Sequence, residues 1–347
     1  MKVKLKLVTI LLAAAALASP CAAATKQRNK NRQREIEITR SGKAVLWRNP
    51  VDIRSRNLFF GPGGQEHAPH TVFTFVKEDM HGTNPKFDVR DENGVRWRVK
   101  LGAEARPETV ASRLVWAVGY STNEDYFLPV LHVENMPAHL RRGRNLVEPG
   151  GVVRNVRLKR LLKDPKKVGH WRWRRNAFTG TRELNGLRVM MALINNWDLT
   201  DENNSIYENE RAEVSHGPEQ IYMVSDLGAS FGTTGRSWTH ADSKGNLKSY
   251  RHSRFINQVT DQYVDFAVPA RPALIYIFSA REFVSRLRLR WIGKGIPRGD
   301  ARWIGRLLAQ LSAEQIRDAF RAAGYPPADV DGFAGVVEER IAELNQL

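Results

Sequence analysis

Two acidic stretches, Asp-Leu-Thr-Asp-Glu-Asn at 198–203 and Asp-Leu-Gly at 226–228, decide how this sequence is interpreted. The first follows residues 181–195, where apolar side chains recur at helical spacing. The second follows a short apolar run at 221–224, and we predict two short strands around a polar loop, at 203–207 and 221–224. The two acidic stretches therefore stand at the end of a helix and at the end of a strand.

The sequence upstream of these stretches predicts a β-rich half. Alternating apolar and polar residues predict four strands, at 71–77, 86–90, 95–101 and 127–133. The Asp-Glu-Asn-Gly turn at 91–94 is typical of a β-hairpin. Pro107 and Gly119 suit the first turn and the end of a predicted helix.

The downstream sequence is mostly helical in pattern. Residues 272–290 and 301–347 carry this pattern, and residues 312–315 match a capping box. A β-rich half followed by an α-rich half predicts an α+β protein with two lobes.

Composition limits the classes of partner and of site. The chain has 347 residues and a formal net charge of +17, which favours anionic partners. It has one cysteine, Cys21, which excludes an internal disulfide framework and a cysteine-based zinc site.

The first residues are typical of a secretory signal peptide. A lysine-rich start precedes the apolar run at 7–17, and Ala22-Ala23-Ala24 offers a small-residue cleavage site. We predict a signal peptide at 1–24, a flexible basic lead-in at 25–40, and a protein that is periplasmic or secreted. A lipoprotein anchor at Cys21 is the less favoured alternative, because Pro20 stands where a small residue is needed.

Further groups lie in order along the chain and match what phosphoryl transfer from ATP needs. Such transfer uses backbone amides and a cation on the phosphates, a carboxylate near the nucleophile, and oxygen ligands for Mg²⁺. The sequence offers the Gly-Thr-Asn-Pro-Lys turn at 82–86, Lys100 on a strand, Glu108 at a helix start, and the two acidic stretches.

These motifs resemble those of the protein-kinase-like superfamily. Asp198 and Asn203 have the D-x4-N spacing of a protein-kinase catalytic loop, and Asp226-Leu227-Gly228 resembles the DFG motif. The turn, the strand lysine and the helix glutamate are more similar to HipA-type and phosphatidylinositol-kinase-like enzymes. The resemblance implies a two-lobed kinase-like fold, with a β-rich N-lobe at 41–136 and a helical C-lobe at 137–347.

The resemblance also implies a role for each residue. Lys100 would hold the phosphates of ATP, Glu108 would orient Lys100, and Asp198 would accept the proton of the attacking hydroxyl or orient that hydroxyl. The residues implied for Mg²⁺ are Asn203 and Asp226, and those implied for the nucleotide, besides Lys100, are Gly82, Thr83, Asn84 and Lys86. The acceptor would be a hydroxyl of a protein, lipid or sugar.

The sequence departs from the usual kinase pattern at several positions. Asn196-Trp197 replaces the His-Arg pair before the catalytic aspartate, and the turn at 82–86 has one glycine. Glu104 competes with Glu108 as the partner of Lys100, and Asn204 competes with Asn203.

Two other functions compete with a kinase. Residues 139–176 hold 13 Lys or Arg and interleave Trp171 and Trp173 with arginines, which favours a catalytically inactive, kinase-like envelope protein that binds anionic lipid or polymer. For an exported protein, nucleic acid is a less expected partner than lipid or polymer. The simplest alternative to a binding role for residues 139–176 is a solvated basic connection between lobes. The Gly-x-Ser-x-Gly pattern around Ser230 instead favours a serine hydrolase, with His240, Asp242 and His252 as candidate partners.

Overall fold

The computed structural model describes residues 42–82, 84–214, 217–233, 244–268, 284 and 287–347. Several sequence predictions lie outside the described residues: the signal peptide, the lead-in, Cys21, Thr83, His240, Asp242 and most of 272–290. No helix in the described part of the chain is long and apolar enough to cross a bilayer.

The described residues form strands and helices in the following order. The strands are β1 (Lys43–Val45), β2 (Phe73–Glu78), β3 (Lys86–Asp91), β4 (Arg96–Lys100), β5 (Asp125–Glu134), β6 (Val147–Glu148), β7 (Val152–Arg160), β8 (Lys166–Gly169), β9 (Asn204–Val214), β10 (Gly217–Val224), β11 (Ile256–Val259), β12 (Tyr263–Phe266) and β13 (Ile296–Pro297). The helices are α1 (Ala105–Ala117), α2 (Arg182–Leu193), α3 (Leu247–His252), α4 (Arg298–Leu308), α5 (Ala313–Arg321) and α6 (Pro327–Asn345). This mixture of helices and sheets confirms the α+β class.

Five strands close into a ring. Their order is β4-β3-β2-β5-β7, and β7 also pairs with β4. Phe87, Val89, Trp97 and Val99 belong to a buried apolar cluster within this barrel. Because successive side chains of a strand point to opposite faces, Lys86 and Lys100, which pair across β3 and β4, point away from that cluster.

Apart from β6, which pairs with the barrel strand β7, the other described elements share a second, larger apolar core. Helix α1 contributes Val110 and Leu114 to this core, although it directly follows the barrel strand β4. A four-stranded sheet, β1-β10-β9-β8, and a three-stranded sheet, β11-β12-β13, complete this part of the molecule. Helix α1 therefore lies where the barrel meets the larger core.

Several local predictions are confirmed. Residues 91–94 form a turn between β3 and β4, where the Asp91 carboxylate accepts hydrogen bonds from the amides of Asn93 and Val95. The capping box at Ser312 and Gln315 is present. Helix α1 begins at Ala105, so Pro107 lies in its first turn, where proline is tolerated.

Two local predictions are wrong. The polar loop expected after residue 207 is instead part of strand β9, which continues to Val214 and pairs with β10, so β10 supplies partners for its backbone groups. The basic segment at 139–176 is not only a solvated connection, because it contains β7, a strand of the barrel. Trp171 and Trp173 are buried in the larger core, so neither can stack on a ligand.

Candidate functional site

Lys100 lies among three carboxylates at the end of β4. The chain turns directly into α1, so Glu104 and Glu108 stand one helical turn apart on one face. The Nζ of Lys100 is 2.6 Å from Oε2 of Glu104 and 2.8 Å from Oε2 of Glu108, and all three side chains are buried. Both glutamates that the sequence offered as partners therefore contact the lysine.

The third carboxylate comes from a distant part of the chain. Oδ1 of Asp226 lies 3.2 Å from Nζ of Lys100 and also accepts a hydrogen bond from the amide of Gly228. The side chain of Asp226 is 40% exposed, whereas that of Lys100 is 6% exposed. Asp226 therefore joins the buried lysine to solvent-accessible space.

The hairpin of β9 and β10 brings the two acidic stretches together. Asn204 pairs with Val224 at the open end of this hairpin, and the amide of Ser225 donates to the carbonyl of Asn203 at 2.8 Å. Residues 203 and 226 therefore emerge side by side.

Asn203 also fixes the start of the first acidic stretch. Its Nδ2 donates to the carbonyl of Asp198 at 2.7 Å. The other polar atom of this amide, Oδ1, is a hydrogen-bond acceptor. The amide of Asp198 donates to Oδ1 of Asn196, and the amide of Trp197 donates to the carbonyl of Ala229. The loop that carries Asp198 is thus bonded to the segment that follows Asp226.

The turn between β2 and β3 lies over the same site. Nδ2 of Asn84 is 2.5 Å from Oε2 of Glu104, and the Pro85 carbonyl accepts from the Leu101 amide. Lys86 is half-buried and lies 3.8 Å from Asp79, while Gly82 is exposed with φ +70°. The structure thus brings Asn84 to the Lys100 carboxylates, and Thr83 lies outside the described residues.

The guanidinium of Arg142 holds this turn from outside. It donates to the backbone carbonyls of Asp79, His81 and Gly82, while the backbone amide of Arg142 donates to Glu78. Nothing in the sequence singled out this arginine from the other basic residues of 139–176.

A buried arginine on β7 supports Glu108 from behind. Nη2 of Arg157 is 2.7 Å from Oε1 of Glu108, and Nη1 is 2.9 Å from Oδ1 of Asp125. Ser112 donates to the other oxygen of Asp125. An unbroken chain of charges thus runs from the partly exposed Asp226 through the buried Lys100, Glu108 and Arg157 to the buried Asp125.

The charges of this chain shift the pKa values of its members. Burial opposes the charge of Lys100, but the carboxylates of Glu108, Asp226 and Glu104 outweigh burial and raise its pKa above the usual range. Burial likewise opposes the charge of Glu104, but Lys100 and Lys244 hold the pKa of this carboxyl at about 2. At neutral pH the site therefore holds a charged lysine and a charged Glu104.

The lowered pKa of Glu104 makes stability depend on pH. A group whose pKa is lower in the folded state contributes stability above its ordinary pKa of 4.5, and this contribution is lost as the pH falls towards 2.

Replacing Glu104 by Gln is therefore expected to lower the free energy of unfolding most at neutral pH, and by progressively less from about pH 5 to pH 3. Urea unfolding of both proteins across this pH range measures the difference. Glu134→Gln, on an exposed position of β5, serves as the control. A Glu104→Gln difference that stays constant with pH would contradict the shift.

The surroundings of Ser230 do not fit a hydrolase. Ser230 is fully buried, and its Oγ has no hydrogen-bond partner among the described residues. Residues 231–233, which follow it, form a bend and no helix, whereas a nucleophile elbow needs a helix there to expose the serine. The candidate partner His252 donates from Nδ1 to the Lys248 carbonyl of its own helix at 2.7 Å.

Comparison with known proteins gives little beyond this geometry. No family model matches the chain, and no curated protein is detectably similar to it in sequence. Among solved structures, the chain is similar to the crystal structure of a Helicobacter pylori proinflammatory kinase, CtkA, with a TM-score of 0.42 and 10% identity. The similarity covers 79% of this chain and 96% of that one. A likeness of this strength establishes neither the fold family nor the activity.

Proposed function

We propose that this protein is a kinase-like phosphotransferase that uses Mg²⁺–ATP to phosphorylate a hydroxyl group. One observation carries the proposal: Nζ of Lys100 lies within 3.2 Å of both Glu108, on the adjoining helix, and Asp226, on a distant loop. A lysine held by a helix carboxylate, beside a carboxylate able to bind metal, is the arrangement that positions and neutralises a transferring phosphate.

The oxygen donors near Asp226 fit a magnesium ion. Mg²⁺ prefers hard oxygen ligands and keeps several of its waters, so it suits a carboxylate that is partly exposed. Asp226 meets this requirement, and the backbone of Asn203 is bonded to Ser225, the residue directly before Asp226. When bound, magnesium would neutralise negative charge on the phosphates.

A second group of carboxylates suits the metal less well. Carboxylate oxygens of Glu104, Glu108 and Asp226 lie within 4.8 Å of one another. The ammonium of Lys100 already lies among them, and a dication at the same place would be repelled by this charge. We therefore assign the metal to Asp226 and Asn203.

The remaining residues have separable roles in the proposal. Lys100 and the turn containing Gly82, Thr83, Asn84 and Lys86 would contact the phosphates, once Glu104 releases Asn84 and Lys100. Asp198, on the loop that Asn203 fixes, would accept the proton of the acceptor hydroxyl or orient that hydroxyl. Export through the signal peptide at 1–24 stays a prediction.

The two-lobed organisation is also a proposal. We take the barrel as the N-lobe and the larger core as the C-lobe, with the Lys100 site where they meet. The N-lobe then includes β7 and ends near Arg160, rather than at residue 136, because β7 pairs with both β4 and β5.

Thermal unfolding with Mg²⁺–ATP tests the nucleotide site. A ligand at 100 times its Kd stabilises the native state by about 2.7 kcal/mol. This corresponds to an expected rise in Tm of about 5 °C or more, since 1 kcal/mol shifts Tm by roughly 2–4 °C in proteins of intermediate size. The rise should require magnesium and should be lost in Asp226→Asn.

Asp261→Asn, at an exposed turn between β11 and β12, is the matched control and should keep the full rise. An equal rise in Asp226→Asn would overturn the metal assignment. A rise in Tm without any turnover of ATP would support a nucleotide-binding protein and contradict the phosphotransferase activity.

A further inference from the structure

A cavity of about 530 Å³ opens in the part of the molecule that contains the larger core. Its walls come from the end of α3, from β12 with the residues after it, and from the 3₁₀ turn Leu289–Gly293 with the following Lys294. Asn195 and Thr233 also line it, and Asn195 donates through Nδ2 to the carbonyl of Gly232. The cavity therefore adjoins both loops that carry the acidic stretches.

The lining of this cavity carries one sign of charge. Arg254 lines it from the residues after α3, and Arg290 and Lys294 line it from the 3₁₀ turn and the residue that follows this turn. None of the described residues that line it has a carboxylate, and within the described ranges none of these three cations forms an ion pair. The carboxylate of Asp265, on β12 but outside the lining, accepts from the backbone amide of Gly295 at 2.7 Å.

One wall is held in place by a buried arginine. Nε of Arg188 donates to the carbonyl of Ile292 at 2.7 Å, and Nη2 donates to the carbonyl of Lys294 at 2.6 Å. These bonds fix the backbone from which the Lys294 side chain extends.

A second buried arginine holds the opposite wall. Nη2 of Arg340 donates to Oγ of Ser253 at 2.7 Å and to its carbonyl at 3.2 Å, directly before Arg254. The cavity is therefore preformed on both sides, which lowers the entropy cost of binding a ligand.

The cavity also has an apolar part. Phe266 and Val268, both buried, line it together with Ala267. A ligand that fits these surfaces carries an anionic group towards the three cations and an apolar portion towards Phe266.

We propose that this cavity is a second ligand site, for a molecule that carries a phosphate group, separate from the site around Lys100. Arginine and lysine donate charge-assisted hydrogen bonds to phosphate oxygens, and three such side chains match the oxygens of a monoester. The apolar lining favours an ester whose organic part is hydrophobic.

Titration calorimetry with phenyl phosphate and inorganic phosphate tests the site in the full chain. Phenyl phosphate should bind saturably and more tightly than inorganic phosphate, because only phenyl phosphate reaches the apolar lining. The triple variant Arg254→Gln, Arg290→Gln and Lys294→Gln should weaken binding by at least about tenfold, since charge-assisted hydrogen bonds are lost.

A charge-matched control separates the cavity from the overall positive charge. The triple variant Arg54→Gln, Lys77→Gln and Arg90→Gln removes the same charge from exposed positions elsewhere and should bind phenyl phosphate normally. Equal weakening in both triple variants, or no weakening in the cavity variant, would overturn the proposal.

Vesicles containing phosphatidylglycerol distinguish the two sources of the phosphate. Binding of phenyl phosphate supports a soluble ligand, and binding to vesicles alone, lost in the cavity variant, supports a lipid headgroup. If neither phenyl phosphate nor the vesicles bind, the proposal is overturned.

This proposal stands apart from the proposed kinase function. Asp226→Asn should bind phenyl phosphate as the parent does, whatever its effect on ATP. Loss of phenyl phosphate binding in Asp226→Asn, with binding retained in the cavity variant, would place the anion at the Lys100 site and overturn the proposal.

Discussion

Replacing Asp198 by asparagine is expected to lower the rate of phosphoryl transfer by about 10²- to 10⁴-fold, the usual contribution of a general base. Asparagine keeps the size of the side chain and removes its ability to accept a proton. The loop geometry should persist, because Asn203 bonds the backbone carbonyl of residue 198 rather than its side chain. Release of ADP from Mg²⁺–ATP, with and without hydroxyl acceptors, measures the rate.

Glu202→Gln is the matched control for Asp198→Asn. Glu202 is an exposed carboxylate in the same loop, so its replacement changes charge by the same amount. The control should retain activity, and both variants should retain the Tm rise with Mg²⁺–ATP. Equal rates in Asp198→Asn and the parent would show that Asp198 takes no part in the reaction.

Replacing Arg157 by methionine is expected to destabilise the protein by about 3–5 kcal/mol, the usual cost of removing one partner from a buried charge pair. The variant leaves Asp125 and one oxygen of Glu108 buried without the guanidinium that lies 2.9 Å and 2.7 Å from them. Methionine preserves most of the side-chain volume, so the loss reports on charge rather than on packing. Urea unfolding, read as a change in midpoint at constant slope, measures it.

Arg154→Met provides the comparison on the same strand. Arg154 pairs with Glu148 at 2.8 Å, but 56% of its side chain is exposed. Water screens such a pair, so the change should have little or no effect on stability. If the two variants lose equal stability, the buried charges around Arg157 are not the stabilising feature described above.

Local patterns in the sequence predicted most of the barrel strands because strands leave a clear alternation. β3 and β4 flank an Asn-Gly turn, and their interior residues, such as Val89 and Val99, alternate with charged ones. β7 escaped prediction because Arg157 and Lys159 make it resemble a solvated basic segment. Only contacts with distant elements explain why these cations lie on a barrel strand: Arg157 pairs with Glu108 and Asp125, and Lys159 contacts Tyr207.

The candidate site was predicted where order and spacing along the chain carry the information. Lys100, Glu108 and Asp226 were singled out, and the structure brings them together. The second contact of Lys100, to Glu104, was left as an alternative, because a one-turn spacing favours neither glutamate. Lys244 and Arg157 act through tertiary contacts that no local pattern contains.

The closed ring of strands has a consequence for how the site around Lys100 opens. β4 is bonded on one side to β3 and on the other to β7, so sliding it by one residue would break two ladders at once. The lysine is consequently the stationary member of the charge cluster. If the proposed nucleotide binds here, the residues that move to admit it are those opposite the lysine, which lie on loops and at a helix start: Glu104, Asn84 and Asp226. The barrel strands then form the fixed side of the site, and the movable side consists of the turn between β2 and β3, the start of α1 and the loop that carries Asp226.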